Sequence, residues 1–269
     1  MNHLCIRSPD PRRLAGFFER AFGMRSSTVP GGWRCEAPGR VVFVTEGKPN
    51  SVAYYAFGFP NEEALGAYKN LLLQRGVNVE VSPSPVFDAA AFAVRDLDGN
   101  VGVFGVGSAT APLEGDNMSA RLQHIVFRTQ NLDAMARFYE QNLGFVVSDR
   151  VLDKDGVLHA CFLRTDSEHH SLAMFLSPTM RLDHHSYETT DWEAIRCWAD
   201  RMSASRIPIV WGVGRHGPGN DLFFMVKDPD DNLVEISAEL AECAEDRPAG
   251  LWPHEQRTLN VWGNAIMRS

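Results

Sequence analysis

The sequence predicts an α+β fold of tandem βαβββ modules, four in two domains, each pair forming an open, barrel-like mixed sheet with helices outside. Three observations predict it. Short runs with the period-2 alternation of strands recur along the chain. Amphipathic stretches with helical spacing follow some of these runs. The order of segments in the first half returns in the second, as in a duplicated architecture.

Each element can be read in turn. The strand-like His3-Leu-Cys-Ile-Arg-Ser8 precedes a predicted helix over 11–24, where Leu14, Phe17, Phe18 and Ala21 fall at i, i+3, i+4 and i+7 and Gly23 marks the end. Its echo is His124-Ile-Val-Phe-Arg-Thr129 with a helix over 132–145, carrying Leu132, Met135 and Tyr139 and ending at Gly144. Val52-Ala-Tyr-Tyr-Ala-Phe57 with a helix over 62–75 matches Leu182-Asp-His-His-Ser-Tyr187 with a helix over 191–206, the latter opened by a capping box at Thr190-Asp-Trp-Glu193. Asp96-Leu-Asp-Gly-Asn-Val-Gly-Val-Phe104 matches Asp228-Pro-Asp-Asp-Asn-Leu-Val-Glu-Ile236, a turn leading into a last strand. The expected division is an N-terminal domain over 1–112, a C-terminal domain over 113–240 and a tail over 241–269, with the polar stretch Ala109-Thr-Ala-Pro-Leu-Glu-Gly-Asp116 as linker.

The candidate chemistry lies in the second half. His124, His184 and Glu235 each sit in a separate strand-like run. Two imidazoles and one carboxylate form the facial ligand set that leaves up to three positions of a six-coordinate Fe(II) open. Strand parity puts His184, Ser186 and Glu188 on one face, and Leu233, Glu235 and Ser237 on one face with Val234 and Ile236 behind. A carboxylate among apolar neighbours is costly unless paired or metal-bound. His185 points the other way and is read as a hydrogen-bonding structural residue. The repeat aligns His124 with His3, His184 with Tyr54 and Glu235 with Val103, so the first half is expected to have no metal site.

Bulk properties exclude some functions. With 269 residues and 44% hydrophobic content the chain builds a substantial core, and a net charge of −8 argues against nucleic acid or an anionic membrane as partner. No apolar run reaches membrane-spanning length, and the start lacks the features of a signal peptide. Five dispersed cysteines without a CxxC pair fit a reducing cytoplasm, as buried fillers. Phe43, Trp192, Trp198 and Trp211 are read as core aromatics.

Over about 115–263 the chain resembles the type I extradiol ring-cleaving dioxygenases of the vicinal oxygen chelate (glyoxalase/bleomycin resistance) superfamily, nearest the homoprotocatechuate and catechol 2,3-dioxygenase branch. Six stretches carry the resemblance: Leu122-Gln-His-Ile-Val, Glu168-His-His-Ser-Leu-Ala-Met-Phe175, Leu182-Asp-His, Arg215-His-Gly-Pro-Gly-Asn220, Phe223-Phe-Met-Val-Lys-Asp-Pro-Asp-Asp-Asn-Leu-Val-Glu-Ile236 and Asn260-Val-Trp-Gly263. The resemblance implies meta-cleavage of a catechol-type aromatic diol by O2 at Fe(II), with Mn(II) as the other metal, and a cytoplasmic homo-oligomer, dimer or tetramer. It implies that His170 is the acid–base residue and that His216 hydrogen-bonds a substrate oxygen, with Asn220 and Met225 touching substrate. His169 is expected at the surface, and Arg215 to fix the loop or touch substrate. The family's usual Tyr near the metal is Met225 here, which removes a hydrogen-bond donor and points to a bulkier or more apolar ring. The competing reading is a metal-dependent isomerase, hydrolase or ligand-binding protein of the same fold. It needs neither His170 nor His216.

Overall fold

A computed structural model describes residues 1–107 and 118–268 of the chain. The expected linker and the boundary between 112 and 113 lie outside the described residues. The first half runs β1 (His3–Ser8), α1 (Pro11–Phe22), β2 (Arg25–Val29), β3 (Gly32–Ala37), β4 (Arg40–Glu46), β5 (Ser51–Phe59), α2 (Glu62–Gln74), β6 (Glu80–Val81), β7 (Phe92–Arg95) and β8 (Val101–Val106). The second half runs β9 (Arg121–Thr129), α3 (Leu132–Arg137), β10 (Val146–Leu152), β11 (Leu158–Arg164), β12 (Leu172–Leu176), β13 (Arg181–Thr189), α4 (Trp192–Ala204), β14 (Ile209–Arg215), β15 (Leu222–Lys227) and β16 (Leu233–Ala238). The chain closes with β17 (Gly250–Pro253) and α5 (Gln256–Leu259). Each half holds two strand–helix–three-strand units, as the repeat requires.

Each half forms one mixed sheet. The order is β2-β3-β4-β1-β5-β8-β7-β6 in the first and β14-β15-β16-β13-β9-β12-β11-β10-β17 in the second. The leading strands of the two units pair antiparallel at the middle, and each also pairs in parallel with the last strand of its own unit. The registers repeat as well: His3 lies opposite Ala56 and Cys5 opposite Tyr54, as His124 lies opposite Ser186 and Val126 opposite His184.

Local chemistry sets the helix ends. Asp10 caps α1 through Arg13 N, and Gly23 ends it in the left-handed region at φ 60°, where glycine carries no steric penalty. The cap of α4 is Asp191, whose side chain accepts from Ala194 N, so the capping residue lies one position later than Thr190. The predicted helix over 132–145 is shorter: α3 passes into a single π-helical turn over Phe138–Asn142.

Alternate strand residues build different layers. The helices and the sheet faces beneath them form one apolar layer across both halves, joining Leu4, Phe18, Phe22 and Tyr55 to Phe127, Tyr139, Tyr187 and Trp198. The opposite faces hold separate clusters: Cys5, Phe43, Tyr54, Ala93 and Val103 in the first half, and Val126, Phe162, Phe175, Trp211, Phe223 and Met225 in the second. Of the expected core aromatics, Phe43, Trp198 and Trp211 are buried, whereas Trp192 is 45% exposed. Four cysteines are buried and Cys197 is exposed. No helix among the described residues is long and apolar enough to cross a membrane. Residues 241–268, expected as a tail, add β17 to the edge of the second sheet beside β10.

Arg40 joins the halves. Its buried guanidinium donates to the carbonyls of Phe22, Met118 and Ala120 and lies 5.2 Å from the centre of the Trp198 ring. Each such charged bond is worth about 1.5–3 kcal/mol. Arg40→Met is therefore expected to lower the free energy of urea unfolding by about 3 kcal/mol or more; an unchanged unfolding midpoint contradicts this role.

Candidate metal centre

The second sheet brings His124, His184 and Glu235 together from β9, β13 and β16, three adjacent strands. His124 Nε2 lies 3.3 Å from His184 Nε2 and 3.5 Å from Glu235 Oε1, and His184 Nε2 lies 3.8 Å from Glu235 Oε2. Ligands bonded at about 2.1 Å stand roughly 3 Å apart when cis, so one divalent ion fits among these atoms. Ser186, in register between His124 and Glu235, donates its hydroxyl to Glu235 Oε1 at 3.0 Å. Glu235 Oε2 is buried with no hydrogen-bond partner among the described residues. A fully buried carboxylate oxygen without a donor is a strong reason to place a cation there.

Two bulges aim the imidazoles. Where β9 meets β13, the pairing skips Gln123 on one strand and Asp183 on the other. Each bulged residue precedes a ligand histidine and engages its Nδ1. Asp183 Oδ1 accepts from His184 Nδ1 at 2.6 Å, and Gln123 Oε1 accepts from His124 Nδ1. The Gln123 orientation is fixed because its amide nitrogen donates to His170 O at 2.7 Å and Glu168 Oε2 at 3.1 Å. With both Nδ1 atoms protonated, the two Nε2 lone pairs face the centre, the tautomer a metal ligand requires. Burial, reinforced by the neighbouring histidines, lowers His124 well below the usual imidazole range and keeps it neutral.

Asp183 is itself held from behind. Burial would raise its carboxyl, but Arg268 and His184 hold it well below the usual range. Arg268 donates through Nη2 to Oδ1 at 2.9 Å and through Nε to Oδ2 at 3.1 Å, and Arg128 Nε adds a contact at 2.6 Å. Arg268 also lies between the rings of Phe175 and Trp211, 4.8 and 4.9 Å from their centres.

The remaining predicted residues divide. His170 lines the cavity, its ring 4.5 Å from that of His124, and burial keeps it neutral. His216 lines it too: Nδ1 donates to Leu259 O at 2.5 Å, the ring stacks on Phe223 at 3.8 Å, and Nε2 lies 3.6 Å from Glu235 Oε2. Burial opposes charging of His216, yet Asp221 and Glu235 raise it overall. Met225, paired with Glu235 across the β15–β16 ladder, is a buried wall residue. Asn220 departs from expectation. It is an exposed turn residue at φ 55° whose carbonyl accepts from Arg215 Nη1, and it does not line the cavity. Arg215 fixes the loop, pairing also with Glu239 at 2.7 Å. His169, expected at the surface, is buried, because its loop folds inward against β10 and the C-terminal segment. His185 is buried beside Phe18 and Tyr187, and neither ring nitrogen has a hydrogen-bond partner among the described residues, so it packs rather than bonds.

The walls are Val126, Phe162, Phe175, Trp211, Met225 and Leu259. The free volume is about 20 Å³, enough for roughly one water. Larger cavities lie elsewhere, one of about 650 Å³ beside Tyr54 and Arg34 in the first half, but no cluster of metal ligands was found at them among the described residues. In that half His3 keeps the outer arrangement, with Nδ1 2.7 Å from Asn2 Oδ1, but its Nε2 meets Ser84 Oγ and its ring sits edge-on to Phe43, Tyr54 and Phe87.

Sequence reasoning missed Gln123, Asp183 and Arg268. The first two carry a signal, a polar residue directly before each ligand histidine. Arg268 carries none.

Residues 121–236 match the family model of the Glyoxalase/Bleomycin resistance protein/Dioxygenase superfamily. The chain is 26% identical to metapyrocatechase 2 of Cupriavidus necator over 98% of its own length and 88% of that protein. It is 30% identical to biphenyl-2,3-diol 1,2-dioxygenase 3 of Rhodococcus globerulus over 45% of its length and 65% of that protein. Among solved structures, a mutant of homoprotocatechuate 2,3-dioxygenase from Brevibacterium fuscum superposes with TM-score 0.84 at 21% identity, covering 98% of this chain and 79% of the other, a likeness of fold.

Replacing His124, His184 or Glu235 by Ala removes a third of the ligand set, so each folded variant is expected to lose most of its bound metal by elemental analysis. His3→Ala should leave metal content unchanged. Stoichiometric metal in a folded His184→Ala protein contradicts the assignment.

Proposed function

We propose that the protein is an extradiol dioxygenase of the Glyoxalase/Bleomycin resistance protein/Dioxygenase superfamily, whose model residues 121–236 match, and that it cuts a catechol-type ring beside its two hydroxyls. The observation that carries this reading is a buried cluster of two histidines and one glutamate, open on one side to an apolar cavity lined by two further histidines. Proteins named metapyrocatechase and biphenyl-2,3-diol dioxygenase among its relatives support the same reading. His124, His184 and Glu235 would hold Fe(II), or Mn(II), which would supply Lewis acidity and coordination for the diol and O2. Both atoms of O2 enter the product, a muconic semialdehyde-type acid.

The chain's own residues orient the ring and move protons. His170, kept neutral by burial, is the base that takes a diol proton and later returns it, a contribution of roughly 10²–10⁴-fold. His216, with its Nδ1 proton committed to Leu259 O, faces the centre through Nε2 and, once protonated, donates to a substrate oxygen. The aromatic and aliphatic walls exclude water and hold the ring by contact. The duplicated half over 1–112 serves as a metal-free companion to the catalytic half over 113–240. A metal-dependent isomerase of the same fold has less support, since two additional histidines beside the open side suit proton transfer to and from a bound diol.

Anaerobic loading with Fe(II) followed by a panel of catechols in air should give yellow ring-fission products. Iron-replete protein inert toward every vicinal diol overturns the proposal. His170→Ala should keep iron and KM while slowing kcat by roughly 10²-fold or more.

Met225 sets a second expectation. Thioether for phenol removes a neutral hydrogen bond of about 0.5–1.5 kcal/mol and leaves a flexible apolar wall. Catechols with a fused or large apolar substituent should therefore outperform catechol itself, and Met225→Tyr should shift the ranking of kcat/KM toward small catechols. Catechol as the best substrate, or an unchanged ranking in the variant, defeats this assignment.

A further inference from the structure

The first sheet curls around a cup of its own. Its floor is the counterpart of the metal cavity, since Cys5 and Tyr54 stand in register where the second half has Val126 and His184. The free space differs sharply, about 650 Å³ here against about 20 Å³ beside the metal ligands. Leu259 and Arg268, from the end of the chain, line the smaller cavity, whereas every residue lining the larger one lies between Cys5 and Val101. A concavity of roughly 300–1,000 Å³ is the size that encloses a small molecule.

The charge in this cup opposes that of the chain. A chain with 34 acidic and 26 basic residues places Arg7, Arg34 and Arg95 on the cup against Glu80 alone. Arg95 is neutralised there, donating through Nε and Nη2 to Glu80 at 3.2 and 2.9 Å. The other two keep free capacity. Arg34 Nη2 pairs with Glu36 at 2.6 Å, but its Nε is buried without a hydrogen-bond partner among the described residues. Arg7 Nη1 donates to Val52 O at 2.7 Å, and Arg7 has no carboxylate partner among the described residues. The floor supplies no compensating charge. Burial, with Arg34, pushes His3 down to about 3; burial pushes the Cys5 thiol up to about 11 and raises Tyr54 above the ordinary phenol range. At neutral pH two under-used guanidinium groups therefore stand over an uncharged floor.

We propose that this cup is a binding site for a small aromatic carboxylate, its ring against Phe43, Tyr54 and Val101 and its carboxylate on Arg7 and Arg34. A guanidinium presents a planar fork of donors that matches a carboxylate, and a buried donor left without an acceptor is costly until one arrives. Arg34 Cζ lies 5.9 Å from the centre of the Phe43 ring, which puts the charged head next to the apolar floor. A ligand with a flat apolar body and an anionic end meets both requirements at once. Pro30, Pro83 and Pro85 add walls that have no side-chain rotamer entropy to lose. The same arginines disfavour a metal ion or any other cation. The site lies in the half without the metal cluster and is independent of the reaction proposed for the other half.

The probe is 2-naphthoate, titrated into metal-free protein and followed by the line width of its 1H NMR signals, with 2-naphthamide as the neutral isostere. One naphthoate per chain is expected, with Kd below about 1 mM, and the amide should bind about 10-fold more weakly or worse. Arg34→Met and Arg7→Met should each weaken naphthoate by roughly 10-fold. Val101→Phe, which fills the floor with a residue suited to a strand, should abolish binding. His184→Ala, in the other half, should leave it unchanged. Naphthoate that fails to bind, or naphthamide that binds equally well, overturns the proposal, and both results come from the wild-type protein whether or not a variant folds. Binding lost in folded His184→Ala but kept in folded Arg34→Met also overturns it, by placing the ligand at the metal centre.

Discussion

The centre depends on one irregularity repeated twice, the bulges at Gln123 and Asp183 in the antiparallel pair β9–β13. In an unbroken ladder, side chains alternate strictly, and a residue beside a histidine faces the other side of the sheet. A bulge lets two successive residues turn to one side, so a Gln and an Asp come to rest against the Nδ1 of the histidines that follow them. That single departure fixes which nitrogen is protonated, where each ring points and how much charge stands behind the metal. Without it the same three ligands would be present but unaimed.

Buried polar groups of this kind need partners, and the partners converge on residues 247–268. Arg268 neutralises Asp183, the carbonyl of Leu259 fixes His216, and Arg247, Gly250 and Trp252 hold Asp149. The bonds behind His184 and His216 thus reach the last stretch of chain, while those behind His124 end on Glu168 and the His170 carbonyl. Arg268 and Leu259 also line the cavity.

How far this was readable beforehand differs by residue. Period-2 alternation placed the strands, the repeat placed the modules, and parity put His184 and Glu235 on the face opposite the helices, because each rests on spacing alone. His169 was read as exposed because a polar turn precedes it; only the folding of its loop onto β10 and residues 241–243 buries it. The resemblance implies a substrate contact for Asn220, whereas its positive φ makes it the corner of that loop. Arg268 and Asp149 act across 85 and about 20 residues of sequence respectively, and no local pattern marks either. Helix length failed at α3, where a π-helical turn absorbs a residue that the 3.6 period does not count.

Among the described residues, the first half shows the same scaffold without the cluster of two histidines and a glutamate. It keeps the strand order, the registers and an Asn2–His3 contact like that of Gln123 and His124. It has Ala53 where the second half has Asp183, together with Tyr54 and Val103 in place of the two cluster residues, and aromatic side chains surround His3 beside the cavity of about 650 Å³. A site with one imidazole and no carboxylate has no charge to stabilise an ion, so an apolar filling is the cheaper arrangement. The helical face of this half completes the apolar layer: Phe18 packs on His185, and Phe22 on Tyr187 and Trp198. The helical face of the first half thus packs directly behind β13, the strand that carries His184.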